Sequence, residues 1–380
     1  MRVAVILTAR PSWAKLEPVC RALKARPDVE LQIIACASAL LERYGNVSAV
    51  VESQGYAIAD KVYSVVEGAS LLTSAIEGSV LKAALANSLT RLRSDVVVVC
   101  ADRHEIIDAA SAARQLELPI CHLQGGELSG SVDNDIRDAV TQLATYHCVA
   151  TRLAGMVVLG KTGSDRIVIT GCPSIDLAKQ ALTEPPVTAE ELGGAGEPID
   201  LTQPFVVVLQ HPVTSEVEQA GEQMRITLEA TEGYQRIVMW SGQDAGADAT
   251  SKVIRTTPGI HTLRSLPPTR FLRLLTQCAC IVGNSSASVR EASYLGTPAV
   301  VIGTRQTRRE HGANARKAWC IPHDALAIRA AIQQQIAHGR YKSSDLYGNG
   351  DAGEKIAEVI CGRGQAAESA NGAGRLAAGA

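Results

Sequence analysis

Aromatic residues are scarce in this chain, 3% of 380 residues with only two Phe and three Trp, although 46% is hydrophobic. The interior must therefore be built from Ala, Val, Leu and Ile, which suits helices packed on parallel strands and argues against a β-sandwich. Charge of one sign is not in excess either: 37 basic residues face 39 acidic ones, a formal net charge of −2. That balance provides no global field for nucleic acid or an anionic membrane, so any anionic ligand must be held by local groups. The ten cysteines show no CxxC spacing and lie mostly in apolar runs, so they are expected to be reduced core residues rather than metal ligands. No stretch approaches the ~18 apolar residues of a membrane span, and the N-terminal MRVAVILTARPSW is too short for a secretion signal. The expectation is a cytoplasmic α/β protein.

A chain of 380 residues exceeds the size at which single cores stop growing, so two domains are expected. Continuous apolar runs at Val3–Leu7, Leu31–Cys36, Asp95–Cys100, Pro119–Leu123, Tyr146–Ala150 and Arg166–Thr170 each precede a turn and a helical pattern. These read as strands buried on both faces of a doubly wound parallel sheet. After the Pro/Gly-rich segment Glu184–Gln203 the order restarts at Phe205–Leu209, Arg236–Trp240, His261–Leu263, Ala279–Val282 and Ala299–Ile302. The fold class expected is thus α/β, two Rossmann-like doubly wound domains facing a cleft. The expected boundaries are 1–175 for the first domain, 176–203 for a connection and 204–362 for the second domain. Residues 363–380, rich in Ala and Gly, are expected to be a disordered tail.

Chemistry-bearing residues cluster at strand ends. Thr8-Ala9-Arg10-Pro11-Ser12-Trp13-Ala14-Lys15 puts Arg10 at the end of the first strand and Lys15 about one helical turn on, both able to reach an anion near a helix N-terminus. No GxGxxG fingerprint is present, so a dinucleotide pyrophosphate lacks its usual close approach to backbone. Ala101-Asp102-Arg103-His104-Glu105 follows a buried strand, with Asp102 and Glu105 spaced for a capping box as well as for chemistry. His122-Leu123-Gln124-Gly125-Gly126-Glu127 ends the next strand in two glycines and a carboxylate, and Asp133-Asn134-Asp135 with Arg137 follows within one loop. Buried carboxylates cost several kcal/mol unless paired, so such density points to a site more than to a scaffold. In the second half, His211-Pro212-Val213-Thr214 and Asn284-Ser285-Ser286…Glu291 end strands. The Ser-Ser turn offers backbone N–H groups to a phosphate, and Glu291 can accept from a ribose diol.

This combination, with Gly171-Cys172-Pro173-Ser174, resembles the UDP-N-acetylglucosamine 2-epimerase family, more closely its hydrolysing branch, over residues 1–362. The resemblance implies the two-domain glycosyltransferase-B fold. It implies a reaction in which the C2 proton of the sugar is removed as UDP leaves C1, and the resulting glycal is hydrated with C2 reprotonated from the opposite face. By the same resemblance Asp102, Glu127 and Asp133 are the acid/base candidates, with the base and the acid among them left open. Arg10, Lys15, Ser285 and Ser286 would hold the diphosphate, with His211 beside them as a further catalytic candidate; Arg103 and Gln124 would contact substrate, and Glu291 the ribose. It implies a nucleotide-sugar substrate with UDP or GDP both open, no cofactor, no metal, no nucleic-acid or membrane partner, and a homodimer. Gln124 stands where the hydrolysing branch carries His, and the Arg-Pro…Lys pattern at the N-terminus resembles the non-hydrolysing branch. A glycosyltransferase of the same fold and a sugar-nucleotide sensor are the competing readings.

Overall fold

The computed structural model describes residues 1–42, 45–68, 71–101, 103–129, 133–242, 245–315 and 321–362. Seven parallel strands form the first sheet: β1 (Arg2–Leu7), β2 (Glu30–Cys36), β3 (Ile58–Val62), β4 (Val96–Cys100), β5 (Ile120–Leu123), β6 (Tyr146–Val149) and β7 (Ile167–Ile169), in the order β3-β2-β1-β4-β5-β6-β7. The second sheet contains β8 (Ala195–Gly196), β9 (Phe205–Leu209), β10 (Gln235–Met239), β11 (His261–Leu263), β12 (Cys280–Gly283) and β13 (Ala299–Val301), in the order β13-β12-β9-β10-β11-β8. Among the described residues only β8 runs antiparallel, at the sheet edge. The strands β4 and β9 are Val-rich and buried at every position, as layers of helix on both faces require.

Helices cover both faces of each sheet. On one face of the first lies Arg10–Lys24, and on the other Leu71–Leu92 presents Leu81, Leu85 and Leu89 at helical spacing, all buried. Helices Ser174–Ala181, Pro268–Gln277 and Glu291–Leu295 line one face of the second sheet, and Ala220–Ala230, Ala247–Thr256 and Ala325–His338 the other. The segment expected as a plain connection is therefore partly structured: Leu177, Ala178 and Ala181 pack into the second core, and β8 extends the second sheet.

The expected second domain, 204–362, needs one correction. The last helix, Ala352–Ile360, returns to the first domain, where Ile356, Ala357, Val359 and Ile360 join its core. Asp176 accepts from the Ala352 and Gly353 N–H groups at 3.0 and 2.8 Å, and Arg26 pairs with Glu354 at 2.7 Å. Gly353 is required there, because a Cβ would lie 2.5 Å from the Pro18 carbonyl oxygen. The apolar stripe of this helix packs against Arg10–Lys24 rather than against the second sheet. The tail expected at 363–380 lies outside the described residues.

Candidate active site

In each sheet the strand order reverses at one point, and the crevice there is where ligands bind in open α/β folds. In the first sheet the reversal falls between β1 and β4, so the loops that start at Thr8 and Ala101 and lead to Arg10 and Arg103 flank it. In the second it falls between β9 and β12, flanked by the loops that start at Gln210 and Asn284. These two loops are stitched together, the His211 N–H donating to Asn284 Oδ1 and Asn284 Nδ2 to the His211 carbonyl, both at 2.7 Å. Arg305 and Gln306 donate to the Asn284 carbonyl, fixing the same turn from behind.

The two halves meet at Glu127. Its loop can form because Gly126 has φ +77°, and a Cβ there would lie 2.1 Å from the Ala154 carbonyl oxygen. Arg137 holds the loop by donating to the Glu127 carbonyl and, at 2.8 Å, to Asn134 Oδ1. The carboxylate itself accepts from Arg290, and from Arg309 at 2.7 Å, both carried by the second domain. Burial alone would raise the Glu127 pKa, but Arg290, Arg309 and Arg137 outweigh it and hold the carboxyl at about 2. Beside it, Gly126, Thr151, Arg309, Glu310 and Tyr347 line a small pocket between the domains, with Thr151 donating to the Glu310 carboxylate and the Tyr347 hydroxyl to the Glu310 carbonyl.

The other expected residues are distributed as follows. Arg10 is the first residue of its helix and donates across the cleft to the Arg264 carbonyl; burial lowers its pKa. Lys15, Arg290 and Glu291 all act electrostatically on Cys172, so both domains converge near the Gly-Cys-Pro-Ser turn. Burial pushes the Cys172 thiol up, which disfavours its thiolate. Gln124 is buried with φ +66°, donates to Cys172 Sγ at 2.8 Å and leaves Oε1 without a partner. Glu291 is buried, with Oε2 likewise unpartnered. Ser285 and Ser286 begin a short 3-10 turn in which Ser285 Oγ accepts from the Ala287 N–H at 3.3 Å. The helix that follows, Glu291–Leu295, has five residues, so Glu291 opens that helix instead of lying two turns into one.

Arg103 is the residue before helix His104–Gln115, and its guanidinium pairs with the buried Glu105 carboxylate at 3.0 Å. Glu105 thus pairs with Arg103, while the cap expected at Asp102 lies outside the described residues. Asp102 and the side chain of Asp133 lie outside the described residues. His122 is buried, within hydrogen-bond reach of Thr141 and of the Ala101 carbonyl. Two residues of the Glu127 cluster were missed in the sequence. Arg290 was visible inside the Ser-Ser…Glu motif but hidden behind Glu291. Arg309 sits in the basic run Arg305-Gln306-Thr307-Arg308-Arg309, whose density after a strand was the signal available.

A family model described as UDP-N-acetylglucosamine 2-epimerase matches residues 21–361. The chain belongs to that family. A Neisseria meningitidis serogroup B protein named UDP-N-acetylglucosamine 2-epimerase is 28% identical over 376 residues, covering 94% of each chain. A Legionella pneumophila protein named UDP-N,N'-diacetylbacillosamine 2-epimerase (hydrolyzing) is 25% identical over 368 residues, covering 94% of this chain and 95% of its own. Among solved structures, the Neisseria meningitidis UDP-GlcNAc 2-epimerase bound to UDP-GlcNAc superposes with a TM-score of 0.78 at 15% identity, covering 95% of this chain and all of that one. A Methanocaldococcus jannaschii UDP-GlcNAc 2-epimerase in complex with UDP-GlcNAc and UDP gives 0.77 at 17% identity, covering 95% of this chain and 99% of that one. These likenesses establish the glycosyltransferase-B-like fold that the sequence led us to expect.

Proposed function

We propose that the chain is a hydrolysing sugar-nucleotide 2-epimerase, converting UDP-N-acetylglucosamine or a close diacetamido relative and water into the 2-epimeric free sugar and UDP. The observation that carries this reading is the pairing of Glu127, from the Gly-Gly-Glu loop of the first domain, with Arg290 and Arg309 of the second. A carboxylate and two cations thereby meet between the two domains. One carboxylate takes the C2 proton, the C1–O bond breaks with its electron pair going to the diphosphate, water adds its oxygen at C1, and C2 receives a proton on the opposite face. Arginine N–H donors are suited to the charge that develops on the leaving diphosphate.

Glu127 then acquires a conditional role. A diphosphate competes with it for Arg290 and Arg309; once they turn away, only Arg137 is left to offset burial and the carboxyl pKa rises from about 2, which favours a protonated carboxyl able to act as an acid. Asp102 and Asp133 are the proposed partners in proton transfer, and Arg10, Lys15, His211, Ser285 and Ser286 the proposed diphosphate contacts. Hydrolysis is supported by the Gly-Gly-Glu element and by the relative named as hydrolyzing. Incubation with UDP-N-acetylglucosamine in D2O tests it: free UDP and an N-acetylmannosamine bearing deuterium at C2 are expected. Deuterium on a sugar still joined to UDP assigns the non-hydrolysing reaction, and UDP release without deuterium ends the epimerase reading.

A further inference from the structure

Outside the cleft chemistry, helices Leu71–Leu92 and His104–Gln115 bring Glu77, His104 and Glu105 together, with one carboxylate oxygen of each Glu and a ring nitrogen of His104 within 4.8 Å of one another. We propose that this cluster binds a divalent cation of the Mn2+ or Zn2+ class, clamping the two helices and, through Glu105, the guanidinium of Arg103.

The proposal rests first on an unsatisfied group. Glu77 is 2% exposed and its Oε1 has no hydrogen-bond partner, nor has Nε2 of His104. A buried carboxylate oxygen without a partner is costly, and such atoms in a native structure call for an ion or a proton. The spacing comes second: ligand atoms on opposite sides of an ion stand about 4 to 4.8 Å apart when metal–ligand distances are about 2.0 to 2.4 Å. Two carboxylates and one imidazole form a mixed oxygen–nitrogen donor set, suited to Mn2+ and Zn2+ more than to Ca2+ or to a thiolate-seeking ion.

Charge points the same way. The helices approach closely at Gly78, where a Cβ would lie 2.3 Å from Asp108 Oδ2, so a third carboxylate stands beside the cluster. Arg103 acts on Glu77 and Glu105, and His104 and Lys82 on Asp108, and Arg103 is already engaged by Glu105. Burial, then the nearness of Glu105, pushes Glu77 up to about 7, which marks a site short of positive charge. Each carboxylate oxygen has two acceptor directions, so Glu105 can keep Arg103 while binding an ion, the arrangement by which groups around a metal orient their neighbours.

The test is Mn2+ titration of chelator-stripped protein, read by the loss of the free-ion electron paramagnetic resonance signal and by thermal shift. One bound Mn2+ per chain and a raised melting temperature are expected, with affinity at least tenfold weaker in Glu77→Gln and in His104→Ala. His104 is partly exposed, so its replacement keeps the test meaningful where Glu77→Gln misfolds. Absence of binding, or equal binding in the folded variants, overturns the proposal. So does an infrared band of a neutral carboxylic acid at pH 6 that persists in saturating Mn2+ and is lost in Glu77→Gln, because a proton would then hold the place assigned to the ion.

Discussion

Glu127 illustrates how a residue's chemistry depends on what faces it. From sequence it was one of three acid/base candidates; in the fold it is a buried anion shared by two arginines of the other domain. Glu127→Gln removes the charge and keeps the shape, leaving Arg290 and Arg309 without their partner. Turnover should fall at least about a hundredfold, as for loss of a general acid or base, while UDP binding measured by calorimetry is retained. Retained turnover would remove Glu127 from the chemistry, and lost UDP binding would make it a structural strut only. Gln124 and Cys172 form a pair that is not readable from sequence, because the 2.8 Å contact between their side chains depends on the left-handed backbone at Gln124. No spacing in the sequence encodes that contact.

Among the elements, eleven of the thirteen strands in the structure overlap runs expected from continuous apolar sequence. The two missed are the edges β3 and β8, where the signal is physically weakest. β3 mixes Asp60 and Lys61 into its five residues, and β8 is an Ala-Gly pair whose pairing is set by its neighbour β11. The site was legible to a similar degree. Strand ends carrying Arg10, Arg103, Glu127 and His211 were found because loops at the carboxyl ends of parallel strands are where polar residues break an apolar pattern. Arg309 was not, since it lies eight residues past the end of β13 in a loop whose return to the cleft is a tertiary matter. The Gly-Gly turn provides the element-scale test. Gly126→Ala forces a Cβ against the Ala154 carbonyl at a positive φ, so it should displace the Glu127 loop and lower both melting temperature and turnover. Gly160→Ala, on helix Arg152–Thr162 where a Cβ meets nothing within 4 Å, should leave both unchanged or slightly improve stability.

At the scale of the whole molecule, the two domains are tied in two different ways. One tie is the returning helix Ala352–Ile360, which places residues from the end of the chain in the core of the first domain. Ile356→Ala should therefore cost about 2 to 5 kcal/mol, read as a lower denaturation midpoint, although Ile356 lies more than 150 residues after the first sheet ends. The other tie is the Glu127–Arg290–Arg309 cluster, whose response to acid differs from that of the folded domains around it. Glu127 has its pKa depressed from 4.5 to about 2, so its contribution is complete above pH 4.5 and is lost only as pH falls through 2. His147 and His311 are lowered from 6.5 to about 4, in both cases chiefly by burial. The unfolded chain takes up their protons first, so stability should decline as pH drops from 6.5 and keep declining to about 4. Acid should thus loosen the domains before it breaks the cluster between them. Melting temperatures measured from pH 8 to pH 4 should be flat above about 7 and fall below 6.5, the fall being partly offset by Glu77, whose carboxyl, pushed up to about 7, keeps a proton in the fold that the unfolded chain gives up, and it should be shallower in His147→Gln. An identical fall in that variant would assign the acid sensitivity to other groups.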